Sequence, residues 1–234
     1  MGIPAALEAP EWEALRLSLT VALIAVACAL PLALGGALIV ARSRVPGRGA
    51  VNAALHLPLV LPPIVVGYLL LVLLGLRGPL GRPLFDAFGL RLAFTMRAVV
   101  IATAVMILPV MARAVRLSLD TMDRGLEAAA RTLGASRADV FLSVTLPLVM
   151  PGLVAAAALG FTAALGEFGA VIIFAANIEG ETRTLPLAIY TALQAPGGEA
   201  SAARLAALSI ALALIGLAAS EWLNRRLRKR QGLA

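Results

Sequence analysis

Long runs of apolar residues alternate with short polar segments along this chain, and each run is long enough to cross a membrane. A helix rises about 1.5 Å per residue, so about 20 apolar residues span the hydrocarbon core of a bilayer. Lipid offers no partner for unpaired backbone groups, so such runs must be helical wherever they face hydrocarbon. The pattern predicts an all-α transmembrane bundle of about five spans, at residues 15–41, 53–76, 92–115, 148–176 and 203–223.

The composition supports this fold class. Of the 234 residues, 61% are hydrophobic and 14% are charged, and the mean hydropathy is +0.94. A soluble domain carries about a quarter charged residues, so lipid must cover part of this surface. We expect one transmembrane domain over residues 1–234. The net charge of +7 does not indicate a nucleic-acid partner, because the arginines flank apolar runs instead of forming a basic face on a soluble module.

Loop charges predict the orientation of the chain. The first residues are acidic, with Glu8, Glu11 and Glu13, and the tail at 225–230 is strongly basic. Positive loops remain in the cytoplasm, so we expect the N-terminus outside and the C-terminus inside. The loop 75–97 conflicts with this rule, because it falls outside and is rich in arginine. Its charges either reflect orientation alone, attract an anion, or pair with a docking partner.

The segment 120–147, between the third and fourth spans, predicts two short helices with a tight joint. Asp120 or Asp123 can cap the first helix, and Gly134 suits the left-handed residue that ends it. Ser136 followed by Asp139 predicts a capping box at the start of the second helix. We expect the pair Leu146–Pro147 to interrupt that second helix as the chain re-enters the membrane.

Small side chains at Ala128, Ala129 and Ala130 would let a partner approach the first helix closely. Arg131 and Arg137 could add charged contacts at the rim. From the pattern alone, a hairpin that merely rests on the bilayer is an equally good interpretation.

This segment resembles the cytoplasmic coupling loop, called the EAA loop, of ABC-importer permeases. Gly134, Val144, Leu146 and Pro147 fall at matching places, whereas Ala128 occupies the glutamate position and Glu127 lies one residue earlier. The coupling-loop residues implied by the resemblance are Glu127, Ala128, Ala129, Ala130, Arg131, Gly134, Ala135, Ser136, Leu146 and Pro147.

The resemblance implies a type I ABC-importer permease fold in a bacterial cytoplasmic (inner) membrane. The chain has no phosphate-binding Gly-x-x-x-x-Gly-Lys-Ser/Thr motif, so we expect it to be non-catalytic and to bind no cofactor. ATP and Mg would then be bound by two separate ATPase subunits. Two copies of the chain would face each other across the pathway.

Three further segments are similar to the molybdate branch of this family: residues 56–68, 165–170 and 177–199. They imply a molybdate importer that receives its ion from a periplasmic or extracellular binding protein. Tungstate and sulfate or thiosulfate are alternative substrates. A transporter driven by an ion gradient and a membrane anchor for a soluble enzyme are alternatives of other classes, although we find neither the internal repeats nor the coupling-ion residues of the former.

Helix-breaking residues in the spans suggest where the pathway lies, because broken helices are tolerated in membranes when they line a cavity or pack within protein. The candidates for pathway or gate are Pro58, Pro62, Pro63, Gly67, Gly166, Glu167, Gly169 and Arg183. We predict that Glu167 pairs with Arg183 or Arg97 to hold the outer gate, because intramembrane charges usually face a partner. We expect no metal site, since His56 has no second ligand at a suitable spacing.

Overall fold

The computed structural model describes residues 7–42 and 47–230 of the chain. Within these ranges every regular element is helical. In chain order the helices are α1 (Ala9–Arg42), α2 (Arg48–Val60), α3 (Pro63–Leu74), α4 (Gly81–Phe88), α5 (Met96–Thr121), α6 (Arg124–Thr132), α7 (Arg137–Val140), a π-helical turn (Phe141–Thr145), α8 (Leu146–Leu165), α9 (Gly169–Phe174), α10 (Leu185–Gln194) and α11 (Glu199–Arg230).

The centre of the bundle is formed by α1, α5 and α8. Alanines recur at helical spacing on one buried face of α1, at Ala22, Ala25, Ala29, Ala33 and Ala37. Larger side chains fill the space opposite them, among them Ile107 and Met111 of α5 and Val149 of α8. Helix association in a membrane relies on van der Waals packing, so small residues on one helix allow close contact with bulky residues on its neighbours.

The second predicted span, 53–76, is not one continuous helix. The axes of α2 and α3 differ by 116°. Pro62 and Pro63 cause the break, because proline has no N–H for the helical ladder and favours an extended conformation in the residue before it. Leu61 adopts that conformation, with ψ of 142°, whereas Pro58 remains inside α2.

The broken pair still carries the chain from one end of the bundle to the other. In α2, the side-chain oxygen of Asn52 accepts a hydrogen bond of 3.3 Å from Arg116, near the end of α5. At the end of α3, Leu71 and Leu74 pack in one cluster with Ala98, in the first turn of α5. In the described part of the chain, four further helical segments are long and apolar enough to span a membrane, and the number of crossings is five if the bent pair is counted as one broken span.

The fourth predicted span, 148–176, also has different bounds. The helix runs from Arg137 through the π-helical turn to Leu165, and a bend at 166–168 separates it from α9. The helix starts earlier because a capping box precedes Arg137. The predicted spans 15–41 and 203–223 lie within the longer helices α1 and α11, and 92–115 corresponds to α5, which begins at Met96 and continues to Thr121.

A buried ion pair holds α11 to the start of α1. Arg204 donates to Oε1 of Glu11 at 2.8 Å, and the two side chains are 10% and 6% exposed. The hydroxyl of Ser201 donates to the same oxygen at 2.6 Å. The hydroxyl oxygen of Ser18 accepts the backbone N–H of Leu185 at 2.7 Å, at the start of α10. These contacts fix the first turns of α1, α10 and α11 together.

Candidate functional site

The segment 120–147 forms two helices joined at a glycine, as predicted. Of the two predicted caps, Asp123 is the one used, and its carboxylate accepts the N–H of Gly125 at 2.8 Å. Gly134 has a φ of 87°, in the left-handed region. The next residue, Ala135, donates its N–H back to the carbonyl of Ala130 at 3.1 Å. A side chain with a Cβ is strained at such a φ, so the tight joint depends on glycine.

The predicted capping box at the second helix is confirmed. The backbone N–H of Asp139 donates to the hydroxyl oxygen of Ser136, and the backbone N–H of Ser136 donates to the Asp139 carboxylate, both at 3.2 Å. Two free backbone donors at the helix start are thus satisfied reciprocally. The joint between α6 and α7 is therefore stabilised by local contacts between Ala130 and Asp139.

One face of α6, with Leu126, Ala129 and Leu133 at helical spacing, is open for contact with another molecule. Its two large apolar side chains are exposed, Leu126 to 47% and Leu133 to 88%. Ala128 and Arg131 are also exposed, and Ala130 and Ala135 are partly buried. Apolar side chains at a polar membrane surface are typical of an interaction site.

Glu127 lies on the opposite, inward face of α6 and is 7% exposed. Its Oε1 accepts a hydrogen bond of 2.5 Å from the hydroxyl of Thr145, in the π-helical turn. Its Oε2 lies 3.8 Å from the Arg131 guanidinium. Glu127 therefore ties α6 to the base of the membrane helix, and its carboxylate does not point to the open face. Thr145 was not among the predicted site residues, because no local pattern links it to a partner 18 residues earlier.

The predicted interruption at Leu146–Pro147 takes another form. The helix does not break but widens into the π-helical turn. There the N–H of Leu146 donates a hydrogen bond to the carbonyl of Phe141, five residues earlier. Pro147 follows as one of the first residues of α8. Proline has no N–H for the helical ladder, and the wider π-helical turn just before it accommodates this irregularity without ending the helix.

The two interrupted membrane segments meet beside their breaks. A Cβ added to Gly169 would lie 2.6 Å from Cβ of Pro63, and one added to Gly67 would lie 2.5 Å from the carbonyl oxygen of Ala170. The backbones of α3 and α9 therefore touch, and only glycine fits at both positions. The structure thus brings together Pro62, Pro63, Gly67 and Gly169. Pro58 lies apart, inside α2.

The predicted ion pair of Glu167 is absent from the described part of the chain. Its Oε1 instead accepts the N–H of Ala170 at 2.9 Å and caps α9. Arg183 pairs with Glu179 at 2.8 Å and donates to Asn177 at 3.0 Å. The prediction failed because a carboxylate three residues before a helical N–H has a local partner that span hydropathy does not reveal. Gly166, in the same bend, has no neighbour that would exclude a side chain, since its added Cβ would lie 3.7 Å from the nearest atom.

The sequence of residues 29–229 matches the family described as binding-protein-dependent transport system inner membrane component. The chain belongs to this family. The permease is therefore a multi-pass protein of the inner membrane, and the predicted ABC-permease family is confirmed. It is 54% identical over 223 residues to the molybdenum transport system permease protein ModB of Escherichia coli (strain K12), covering 95% of this chain and 97% of the relative.

The permease is also 48% identical to ModB of Haemophilus influenzae, with 95% of this chain and 97% of the relative covered. A crystal structure of a bacterial ABC transporter involved in the import of the acidic polysaccharide alginate superimposes with a TM-score of 0.75. It covers 94% of this chain and 80% of the other, at 16% identity. The predicted fold of a type I ABC-importer permease is confirmed.

Proposed function

We propose that this permease is the membrane-spanning subunit of an ATP-driven importer of molybdate. The observation that carries the proposal is the 54% identity to a molybdenum transport permease over 95% of the chain. The similarity extends over 97% of that relative's length. The chain supplies the translocation pathway and transmits movement from the ATPase to the membrane helices. ATP hydrolysis takes place only on the partner ATPase.

In this proposal the open face of α6 binds a separate ATP-binding subunit. Its small residues Ala128 and Ala129 permit close approach, and Leu126 and Leu133 supply apolar area that lacks cover within this chain. Movement of α6 then reaches the membrane through two connections. One is the joint at Gly134, and the other is the hydrogen bond from Thr145 to Glu127. ATP-driven closure of two ATPase subunits would tilt α8 and alternate access between the two sides.

The pathway in this proposal runs beside the contact of α3 with α9, between two copies of the chain. The proline break starts a new helix at α3, and the positive end of its helix dipole would favour an anion. Its backbone offers few free donors, because Pro62 and Pro63 carry no N–H and the N–H groups of Val65 and Val66 donate to the Pro62 carbonyl. The acidic start of α1 and the basic end of α11 favour the N-terminus outside, where a molybdate-binding protein would dock, and the C-terminus in the cytoplasm.

Uptake of radiolabelled molybdate tests the substrate and the energy source together. The chain would be expressed with its ATPase and binding protein in a bacterium that lacks its own molybdate permease. We expect uptake that stops when the ATPase carries an inactive catalytic site and that persists when a protonophore collapses ion gradients at constant ATP. Uptake that follows the ion gradient would contradict the ATP-driven mechanism, and uptake of sulfate in place of molybdate would contradict the substrate.

Co-purification tests the coupling surface. Ala129→Trp places a bulky ring on the open face, and we expect it to reduce recovery of the ATPase by at least about tenfold. Ala87→Trp is the matched control, since Ala87 is equally exposed but lies on α4, near the opposite end of the bundle. Equal recovery of the ATPase with both variants would refute docking at α6.

A further inference from the structure

A groove on the surface of α1 and α5 is apolar along most of its length and basic at one end. Three adjoining cavities of about 530, 370 and 460 Å³ form it, the first two sharing Arg16 and the last two sharing Met96. Arg16 lines the first two cavities and Arg97 lines the third, next to the shared Met96. The apolar lining consists of Leu15, Leu19, Leu23, Ile24, Val100 and Ile101.

Neither arginine is neutralised by the protein. In the described ranges, the guanidinium groups of Arg16 and Arg97 take part in no hydrogen bond or ion pair, and both side chains are exposed. Other arginines in this region behave differently: Arg82 lies 3.6 Å from the Asp86 carboxylate, and Arg91 stacks over the ring of Phe85 at 5.5 Å. The groove therefore presents two available cations beside an apolar channel.

The order of groups along the groove matches the order of groups in a phospholipid. Arg16 lies in the first turns of α1 and lines the same cavity as Trp12, and Arg97 lies in the first turn of α5. Tryptophan is typical of the headgroup level of a membrane. From Arg16 to Leu23 the groove continues for about 10 Å along the helix, into the depth of the acyl chains.

Charge complementarity favours an anionic lipid over a zwitterionic one. The only carboxylate that lines the described groove belongs to Glu13, so two guanidinium groups and one carboxylate leave an excess of one positive charge. A phosphodiester without an ammonium group neutralises that excess, and arginine binds phosphate oxygens through paired N–H donors. The Glu13 carboxylate can accept hydrogen bonds from headgroup hydroxyls.

We propose that this groove is a binding site for a phospholipid of the phosphatidylglycerol type. Arg16 and Arg97 bind its phosphate, and an acyl chain lies against Leu19, Leu23 and Val100. The site is separate from the transport pathway, and its existence does not depend on which ion the permease carries. A lipid held between α1 and α5 would join two of the central helices at the end where both begin.

Trp12 provides a direct reporter, because it lines the groove and the chain has only one other tryptophan, Trp222. The Trp222→Phe chain would be reconstituted with its partners in nanodiscs of phosphatidylcholine. Brominated phosphatidylglycerol, phosphatidylethanolamine or phosphatidylcholine would then be titrated over the same range of mole fractions, and the quenching of the fluorescence measured. We expect the phosphatidylglycerol probe to reach half-maximal quenching of Trp12 at about tenfold lower mole fraction than the phosphatidylcholine probe, which corresponds to about one charge-assisted hydrogen bond.

The double variant Arg16→Gln/Arg97→Gln should abolish this preference, whereas Arg16→Lys/Arg97→Lys should retain part of it. Arg82→Gln is the matched control, because Arg82 has a carboxylate partner in the protein, and it should leave the preference intact. Equal quenching by all three lipids would overturn the proposal. So would a preference for phosphatidylethanolamine, or a phosphatidylglycerol preference that survives the double glutamine variant.

Discussion

The hydrogen bond between Thr145 and Glu127 permits a quantitative test of how α6 is held. Thr145→Val removes the hydroxyl and keeps a β-branched side chain of similar volume. The Glu127 carboxylate, 7% exposed and 2.5 Å from that hydroxyl, then loses a charge-assisted hydrogen bond in a buried position. Such bonds contribute about 1.5–3 kcal/mol, which corresponds to an increase of about 10- to 150-fold in the population of opened α6.

Amide hydrogen exchange followed by mass spectrometry measures that population directly. Peptides that cover residues 124–132 should exchange faster in the Thr145→Val permease by the factor given above, because exchange reports local opening. Peptides from α5 should be unaffected. Uptake per ATP hydrolysed should also fall, since α6 would move without pulling the membrane helix.

Thr132→Val is the appropriate control for this experiment. The hydroxyl of Thr132 donates to the carbonyl of Ala129 within α6 at 2.7 Å and is exposed, so its loss should change exchange by less than about threefold. If Thr145→Val and Thr132→Val gave the same exchange rates, Glu127 would not be what holds α6 to the π-helical turn.

Three other changes test separate contacts. Gly67→Ala puts a methyl group 2.5 Å from a carbonyl oxygen of α9. This overlap should destabilise the permease by about 1–3 kcal/mol and reduce molybdate uptake. Gly49→Ala is the control: its methyl group meets nothing within 4 Å, so molybdate uptake should be unchanged. Gly134→Ala forces a φ of 87° on an L-residue at about 1–2 kcal/mol and should weaken co-purification of the ATPase. Arg204→Met leaves the Glu11 carboxylate buried without its cation, at about 3–5 kcal/mol, and should lower the midpoint of thermal unfolding in detergent. Unchanged values in any of these measurements would contradict the contact concerned.

Features set by neighbouring residues were predictable from the sequence. The glycine joint at Gly134 and the capping box of Ser136 with Asp139 each depend on backbone groups within a few positions, so the residue types alone identify them. The apolar runs likewise predicted helices, because hydrocarbon enforces backbone pairing wherever the chain faces it. Paired prolines at positions 62 and 63 marked an interruption, although not its angle of 116°.

Features set by distant residues were not predictable. Glu127 and Thr145 are far apart in the chain and meet only because the joint at Gly134 folds α6 back toward the membrane helix. Glu167 was assigned an arginine partner because an intramembrane charge usually faces a partner. The bend at 166–168 creates a new helix start, and that start supplies the N–H group that its carboxylate accepts. The contact of Gly67 with α9 required the position of both interrupted segments.

The lengths of α2 and α3 have a consequence for water in the membrane. With 13 and 12 residues, they measure about 20 Å and about 18 Å, so neither crosses a hydrocarbon core of about 30 Å alone. Their junction at Leu61 and Pro62 must therefore lie within the depth of the bilayer. Pro62 and Pro63 deprive carbonyl groups at the end of α2 of their helical N–H partners. Donors from water or from another part of the assembled transporter must therefore reach this elbow.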